Sequence, residues 1–553
     1  MRRLILTLAA VLAPSLASAT PPRDDAAVRK ALEDEMARTM QTLRLGSEAP
    51  PYYMSYAIVD DDTSHVVARF GAIVSDAHNP TRRVRVVVRV GGYDEDNTNF
   101  RGGVGGFGGG GVSRDDDYIG LRRDLWEMTD RQYKQALDAL ARKKASRAIE
   151  STDKDKMPDF ARVTATSVVS DRAVPQTDAD RAKISDAVVR LSAVFREFPT
   201  VSSGRVSGGL SVERRRLLTS EKTWTDERWS RVRIDVRGDA TTPDGHRLVA
   251  TTAFAAQDVA SLPPLEKMQA EVRALAKNLA EQRTAPAVEP GSASVVFEGP
   301  AAAQLARMML GQPLSGQPEP RSAGGAPRDG SMSFAEKIGL RVAPAWLTVT
   351  DDPGAVGATR KPLAGTYDTD DEGVPGERLT LIDHGSVKAL LMSRTPRKEI
   401  PRSNGHGRGG LGAHAMFSNL VVRADNALPR RALLARAAAT AGPKGTVYVV
   451  TQLDPSSGLG RGQTLRARVA FRVKDGGREE PVRDLSLEGF MPKKMKKDLV
   501  AAGTDTYLYE EEGSMPYSVR APSLLFEDVD VGRPNETSRI PPLYPSPLEA
   551  SKP

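Results

Sequence analysis

Val295-Val296-Phe297-Glu298-Gly299-Pro300, running on through Ala301–Leu310 to Gly311, is the stretch on which the fold turns. Three apolar residues in a row predict a short strand. Pro300 suits a first helical position, because it has no amide hydrogen to leave unsatisfied, and Gly311 is placed to close a helix over Ala301 to Leu310. Just upstream, Ala285-Pro286 through Ser294 reads as a linker, so the strand-to-helix unit opens a second domain.

On the N-terminal side of that boundary the pattern alternates between helices and strands. Val28, Leu32, Met36, Met40 and Leu43 recur at helical spacing and predict an amphipathic helix over 25 to 43. Val84, Val86, Val88 and Val90 alternate with Arg85 and Arg89, and Val232, Ile234 and Val236 alternate with Arg231, Arg233, Asp235 and Arg237. Both predict half-buried strands with a charged, solvated outer face. The glycine-rich run 102–111 reads as a flexible loop, followed by a helix from about Tyr118 to Ala148. Leu265, Met268, Val272, Leu275 and Leu279 predict another helix, with Ser261 as its N-cap and Pro263 and Pro264 in its opening turn.

Beyond the boundary the sequence is mostly strand-like, as where Leu465, Ala467, Val469, Phe471 and Val473 alternate with Arg466, Arg468 and Arg472. The expected architecture is α+β: an N-terminal α+β domain of long helices and antiparallel strands (20–285), a linker (286–294), and a mostly antiparallel β domain (295–553) with one short helix near its start.

Bulk composition agrees with two or three domains, since 553 residues exceed one ordinary core and 39% hydrophobic with 27% charged residues describes a globular chain. Residues 1–19 read as an export signal: Arg2 and Arg3, an apolar run from Leu4 to Leu12, and Ala17-Ser18-Ala19 before a cleavage near Ala19. That places the mature protein in the periplasm or outside the cell. No later stretch offers the roughly 20 apolar residues that span a bilayer.

Cysteine is absent, which removes disulfides, thiolate ligands and a cysteine nucleophile together. The net charge of +7 is spread along predicted strands and helices instead of forming a basic stripe, which argues against nucleic acid.

Several motifs fail on their chemistry. Gly103-x-Gly105-x-x-Gly108 has dinucleotide-loop spacing, but Asp115, Asp116 and Asp117 follow it and would repel phosphate. Asp368-x-Asp370-x-Glu372-Gly373 opens like a calcium loop, yet the twelfth position is Leu379 where a bidentate glutamate is required. No G-x-S-x-G occurs. Of the six histidines, only His406 and His414 share a loop, a weak opening for a relocated metal site, and His384 reads as a turn residue beside Gly385.

The unit Val295 to Gly316, the run Asp370-Asp371-Glu372-Gly373-Val374-Pro375-Gly376, Leu381 to Lys388, Ser403-Asn404-Gly405-His406-Gly407-Arg408 and the closing strand Val519 to Leu525 together resemble the TldD/PmbA family. The likeness is strongest over 289 to 428. Active members of that family are zinc-dependent peptidases that work as two-subunit assemblies, and their catalytic subunit carries H-E-x-x-x-H with a C-terminal cysteine as third ligand.

Here the corresponding positions are Phe297-Glu298-Gly299-Pro300-Ala301-Ala302, so no imidazole or thiolate donor is present and no zinc is expected. Glu298 would be a vestigial general base. The resemblance is to the non-catalytic PmbA-like (TldE) subunit, which implies a pseudoenzyme that binds an unfolded peptide or protein beside a catalytic paralogue, or by self-association. The alternatives are an active metallopeptidase with an unrecognised site and an exported structural or binding protein. Asn404, Gly405, Gly407, Gly409 and Gly410 are the expected backbone approach to a threaded peptide, with Arg360, Asp371 and Glu372 at a partner interface or chamber rim.

Overall fold

The structure, a computed structural model, describes residues 25–100, 105–149, 157–318, 333–357, 360–410, 412–442, 445–459, 464–513 and 515–534. The expected export signal and residues 102–104 of the glycine-rich run lie outside the described residues.

The N-terminal half is one twisted sheet with helices on a single face. Its elements are α1 (Asp25–Thr42), β1 (Pro51–Arg69), β2 (Ala72–Val90), β3 (Phe107–Gly111) and α2 (Tyr118–Ile149), then β4 (Ser167–Arg172) and α3 (Asp178–Ala193). β5 (Val201–Thr219), β6 (Trp224–Thr241), β7 (Arg247–Ala256) and α4 (Leu265–Gln282) complete it. Strand order is β3-β2-β1-β5-β6-β4, with β7 also on β6.

Alternation does the sorting. Val84, Val86, Val88 and Val90 are buried with α1 and α2, while Val206, Leu210, Val232, Ile234 and Val236 are buried with α3 and α4. Thr177 caps α3 through a reciprocal bond with Asp180, which satisfies two amides at its first turn.

Three local expectations change. The run read as a loop contains strand β3, paired with Arg83–Val87. It is glycine-rich because α2 lies hard against it: a β-carbon at Gly110 would sit 3.0 Å from Met128, and one at Gly108 would collide with the Gln132 side chain. Ser261 is not the cap of α4; Pro264 holds the N-cap position, and the Ser261 hydroxyl donates to Asp258 instead, at 2.5 Å. Gly311 does not end a regular helix, because the last turn widens into a π-turn over Arg307–Gly311 packed against Phe417.

The C-terminal half opens with β8 (Gly291–Phe297), which begins inside the stretch read as linker, and α5 (Pro300–Ala306). β9 (Leu347–Asp351), β10 (Leu379–Asp383), β11 (Ser386–Val387), β12 (Gly407–Arg408), β13 (His414–Ala415) and β14 (Asn419–Ala424) follow. A second helix, α6 (Arg430–Ala441), comes next and was not expected. The remainder is β15 (Thr446–Leu453), β16 (Thr464–Val473), β17 (Glu479–Val482), β18 (Ser486–Glu488), the single turn α7 (Lys494–Lys497) and β19 (Leu499–Ala502). β20 (Tyr507–Glu511), β21 (Tyr517–Ala521) and β22 (Leu524–Gly532) end the described chain.

These strands form two main layers. One sheet runs β11-β10-β9-β14-β21-β20; the other runs β15-β8-β22-β18-β16-β17 and closes on itself through β15–β16. The closing strand Val519 to Leu525 is therefore two strands in different sheets, divided at Pro522-Ser523. β8 sits between β15 and β22 and α5 lies beneath it, so the strand-to-helix unit forms the middle of the largest core.

The two halves meet through the sheet face opposite the helices. Arginines at the alternate strand positions, expected to be solvated, are drawn into this contact: the Arg89 side chain is 7% exposed and that of Arg215 12%. Alternation identifies which side chains leave the helix-bearing face, but not what covers them.

Candidate functional site

At the end of β8, Phe297 is fully buried, with its ring edge-on to Phe490 at 5.7 Å and to Phe526 at 5.8 Å. Ala302 is fully buried in α5. Between them Gly299 turns the chain with φ 53°, a conformation that suits glycine. The helix is held in place by Gln304, whose Oε1 accepts from the Leu453 amide at 2.9 Å.

Glu298 is engaged elsewhere. Arg430, from the start of α6, donates from Nε at 2.9 Å to Oε1 and from Nη2 at 3.1 Å to Oε2, and also pairs with Glu479. Burial pushes the Glu298 carboxyl above its ordinary range, against the pull of Arg430. A zinc ion does not fit these residues: a phenyl ring and a methyl group have no lone pair to offer, and the carboxylate between them is already chelated by a guanidinium.

Next to this corner is a cleft of about 500 Å³, bounded by β6 and β7 on one side and by α5 and β20 on the other. Pro300, Gln304, Tyr507, Tyr509 and Arg233 line it, whereas Glu298 is not among the lining residues. β20 is the outermost strand of its sheet among the described residues and its Tyr507–Glu510 segment lines the cleft, where the Glu510 carbonyl accepts from Arg233 at 3.2 Å.

The glycine-rich segment lies elsewhere and is mostly buried. Asn404 spans two backbone groups, accepting from Met392 at 2.8 Å and donating to Leu390 at 2.9 Å. Gly405 has φ 73° and lies so close to Pro375 that a β-carbon would collide with its carbonyl. The amide of Gly407 donates to Asp370 at 2.8 Å, and those of Gly409 and Gly410 to Asp371 at 2.8 and 3.0 Å. Within the chain, the groups these glycines approach are the Pro375 carbonyl and the Asp370 and Asp371 carboxylates.

The acidic run, with Asp371 and Glu372 in it, forms a junction within the chain. Arg215 from β5 pairs with Asp371, Arg172 with Asp368, and Glu227 accepts from both the amide and hydroxyl of Thr369 at 2.8 Å. Burial raises Asp370 well above the usual carboxylate range, with nearby Glu372 adding to it. Burial would raise Asp371 as well, but Arg215 and Arg85 hold it below. Arg360, by contrast, is an exposed loop residue with φ 61°.

His406 and His414 are not brought together as a metal site. His406 is fully buried, its Nε2 2.9 Å from Asp351 Oδ2 and its Nδ1 2.9 Å from Asn404 Oδ1. His414 is exposed on the neighbouring strand. Ser418 donates from its hydroxyl to the same Asp351 at 2.6 Å, so this trio fixes β9 to β14 and leaves no free nucleophile. His384 is a turn residue with φ 44°, as expected. Among the described residues, no three His, Cys, Asp or Glu side chains gather where they could hold a metal ion.

Sequence reasoning missed Arg394, the residue that does most to join the halves. Its side chain is fully buried, it chelates Glu221 at 2.7 and 2.8 Å, and it donates twice to the Ala161 carbonyl. A lone arginine in a loop carries no pattern by which it could have been found.

Fold and site together define a two-layer α+β protein whose C-terminal half is organised around a strand-to-helix corner. Residues 290–533 match the family model described as the PmbA/TldA metallopeptidase C-terminal domain. A metalloprotease of Methanothermobacter thermautotrophicus is 28% identical over 172 residues, 30% of this chain and 35% of that protein. One from Methanocaldococcus jannaschii is 38% identical over 76 residues, 14% and 16% of the two chains. The chain thus spans about a third or less of the curated relatives it matches.

Among solved structures, a Thermotoga maritima protein described as a modulator of DNA gyrase superposes with TM-score 0.62 at 15% identity, covering 91% of this chain and 100% of that one. TldE from Thermococcus kodakarensis superposes with TM-score 0.58 at 14% identity, covering 92% and 100%. Residues 290–533 thus match the PmbA/TldA C-terminal domain, and the chain as a whole has the fold of these solved structures.

Proposed function

We propose that this protein is a metal-free, peptide-binding member of the family, exported to the periplasm or beyond and acting beside a catalytic subunit. The observation that carries this reading is the occupation of the zinc-ligand positions. Phe297 and Ala302 are core residues without donor atoms, and Glu298 is bound to Arg430 and does not line the cleft beside β20. Without a Lewis acid there is nothing to bring the pKa of water down from about 15.7 toward 7, so the hydrolytic route of zinc peptidases has no starting point.

What the site retains is suited to capture. An extended peptide lying along the outer edge of β20 would exchange main-chain hydrogen bonds with it, in competition with Arg233 at the Glu510 carbonyl, a mode that gives affinity without demanding particular side chains. Tyr507 and Tyr509 would supply apolar area on alternate positions.

The test is metal analysis and native mass of the purified mature protein, with turnover of an unfolded peptide, alone and mixed with an exported paralogue carrying an intact H-E-x-x-x-H. The expected result is no stoichiometric zinc and no cleavage alone, with a joint complex that cleaves. Zinc with cleavage by this chain alone overturns the proposal, and peptide binding without any complex reduces it to a solitary binding protein.

A further inference from the structure

Beyond the cleft, an uncovered end of the sheet face opposite the helices carries an arrangement that the fold does not require. Arg69 on β1 is directly opposite Arg205 on β5, and Arg205 is directly opposite Arg237 on β6. Directly opposed residues in neighbouring antiparallel strands are about 5 Å apart at the α-carbon and project from the same face, so three guanidiniums stand in one row across the sheet. Like charges so placed repel, and nothing in the packing compels them, since the hydrophobic residues of these strands face the other way toward α3 and α4.

The row is only partly neutralised from within. Asp239 receives Arg237 at 2.9 Å and Arg247 at 2.7 Å, which occupies its carboxylate. Arg69 and Arg205 are exposed and form no side-chain hydrogen bond or ion pair among the described residues. A hollow of about 440 Å³ at this end is lined by these four arginines and the single carboxylate. Arg205 and Arg237 also line the cleft beside β20, so the two spaces share a wall.

We infer that the Arg69–Arg205–Arg237 row receives the carboxylates of an acidic peptide segment whose neighbouring residues lie in the β20 cleft. This rests on the peptide-binding reading and adds a charge preference to it. The two free guanidiniums offer planar forks that match carboxylate geometry, and their nearness to an outer strand, whose main-chain groups can pair with an extended backbone, favours a polypeptide over a polynucleotide. The chemistry also sets a direction: a peptide with its acidic end outward would be read by charge at Arg69 and Arg205 and by backbone at β20.

Fluorescence anisotropy on the full mature protein tests this with three unstructured peptides of equal length, one with an acidic end, one neutral and one with a basic end, at low and high salt. The expected result is binding of all three, with the acidic peptide about tenfold tighter than the neutral one at low salt and the advantage shrinking as salt rises. In the double variant Arg69→Gln, Arg205→Gln the acidic advantage disappears; in Arg69→Gln alone, at a residue that does not line the β20 cleft, it falls while neutral-peptide affinity is kept; and Arg205→Glu makes the basic peptide the better ligand. Equal affinity for acidic and neutral peptides overturns the inference and leaves the peptide-binding reading standing; binding of none overturns both. An acidic advantage that survives the double variant assigns the preference to other residues. A single-stranded oligonucleotide that binds as tightly as the acidic peptide and loses that binding in the double variant overturns the choice of ligand.

Discussion

The guanidinium of Arg394 lies 3.8 Å from the centroid of the Phe160 ring, and on the other face of the same ring Arg89 lies at 3.7 Å. Arg394 comes from the C-terminal half, and Phe160 and Arg89 from the N-terminal half. A ring carries negative charge on both faces, so it can hold two cations that would otherwise repel. Glu221 beside one and Asp96 beside the other supply the compensating charge.

Removing Arg394 therefore leaves the Ala161 carbonyl without its side-chain donors and Glu221 with the Tyr93 hydroxyl in place of a paired guanidinium. Arg394→Met is expected to cost about 3 kcal/mol or more, as breaking a buried pair does. Arg360→Ala, at an exposed site without such partners, is expected to stay within about 0.5 kcal/mol. Denaturant midpoints of the two variants check the contrast.

Gly405 and Gly412 share the same backbone twist, φ 73°, but not the same surroundings. A β-carbon at Gly405 would strike the Pro375 carbonyl, whereas at Gly412 nothing lies within 4 Å. Gly412→Ala is expected to cost about 1 kcal/mol from conformation alone. Gly405→Ala should cost several times as much, with thermal unfolding as the readout.

Putting histidines back at the ligand positions should not restore a metal site. Phe297→His with Ala302→His gives up the contacts with Phe490 and Phe526 and crowds a filled core, an expected loss of about 3 kcal/mol or more. It still lacks a third ligand, so metal analysis is expected to find no stoichiometric zinc.

Burial pushes the Glu512 carboxyl up to about 7, against Arg231 and Arg233 and with Glu510 and Asp235 adding to it. The folded protein thus holds this proton more tightly than the unfolded chain, where the value is 4.5. The stabilisation from this group is full below about pH 4.5 and is lost as pH rises through about 7. Glu512→Gln should flatten that part of the stability profile, and melting curves from pH 4 to 8 in wild type and variant measure it.

The α+β class, the long helices, the valine-bearing strands and the strand-to-helix unit at Val295 were all legible along the chain, because each is set by residue spacing within one element. So was the absence of donors at Phe297 and Ala302, which is a matter of residue identity. Less was legible where an element depends on a distant neighbour. The glycine run became strand β3 because α2 lies against it, and Val519–Leu525 split because its two parts pair in different sheets.

Local spacing decided which side chains leave the helix-bearing face of each strand. Only the tertiary structure decided that Arg89, Arg215 and Asp371 are buried at the junction of the two halves while Arg69 and Arg205 remain open. The physical reason is that a period of two fixes the side of a sheet, whereas solvent exposure depends on which remote segment packs there, and that contact is made between residues more than a hundred positions apart.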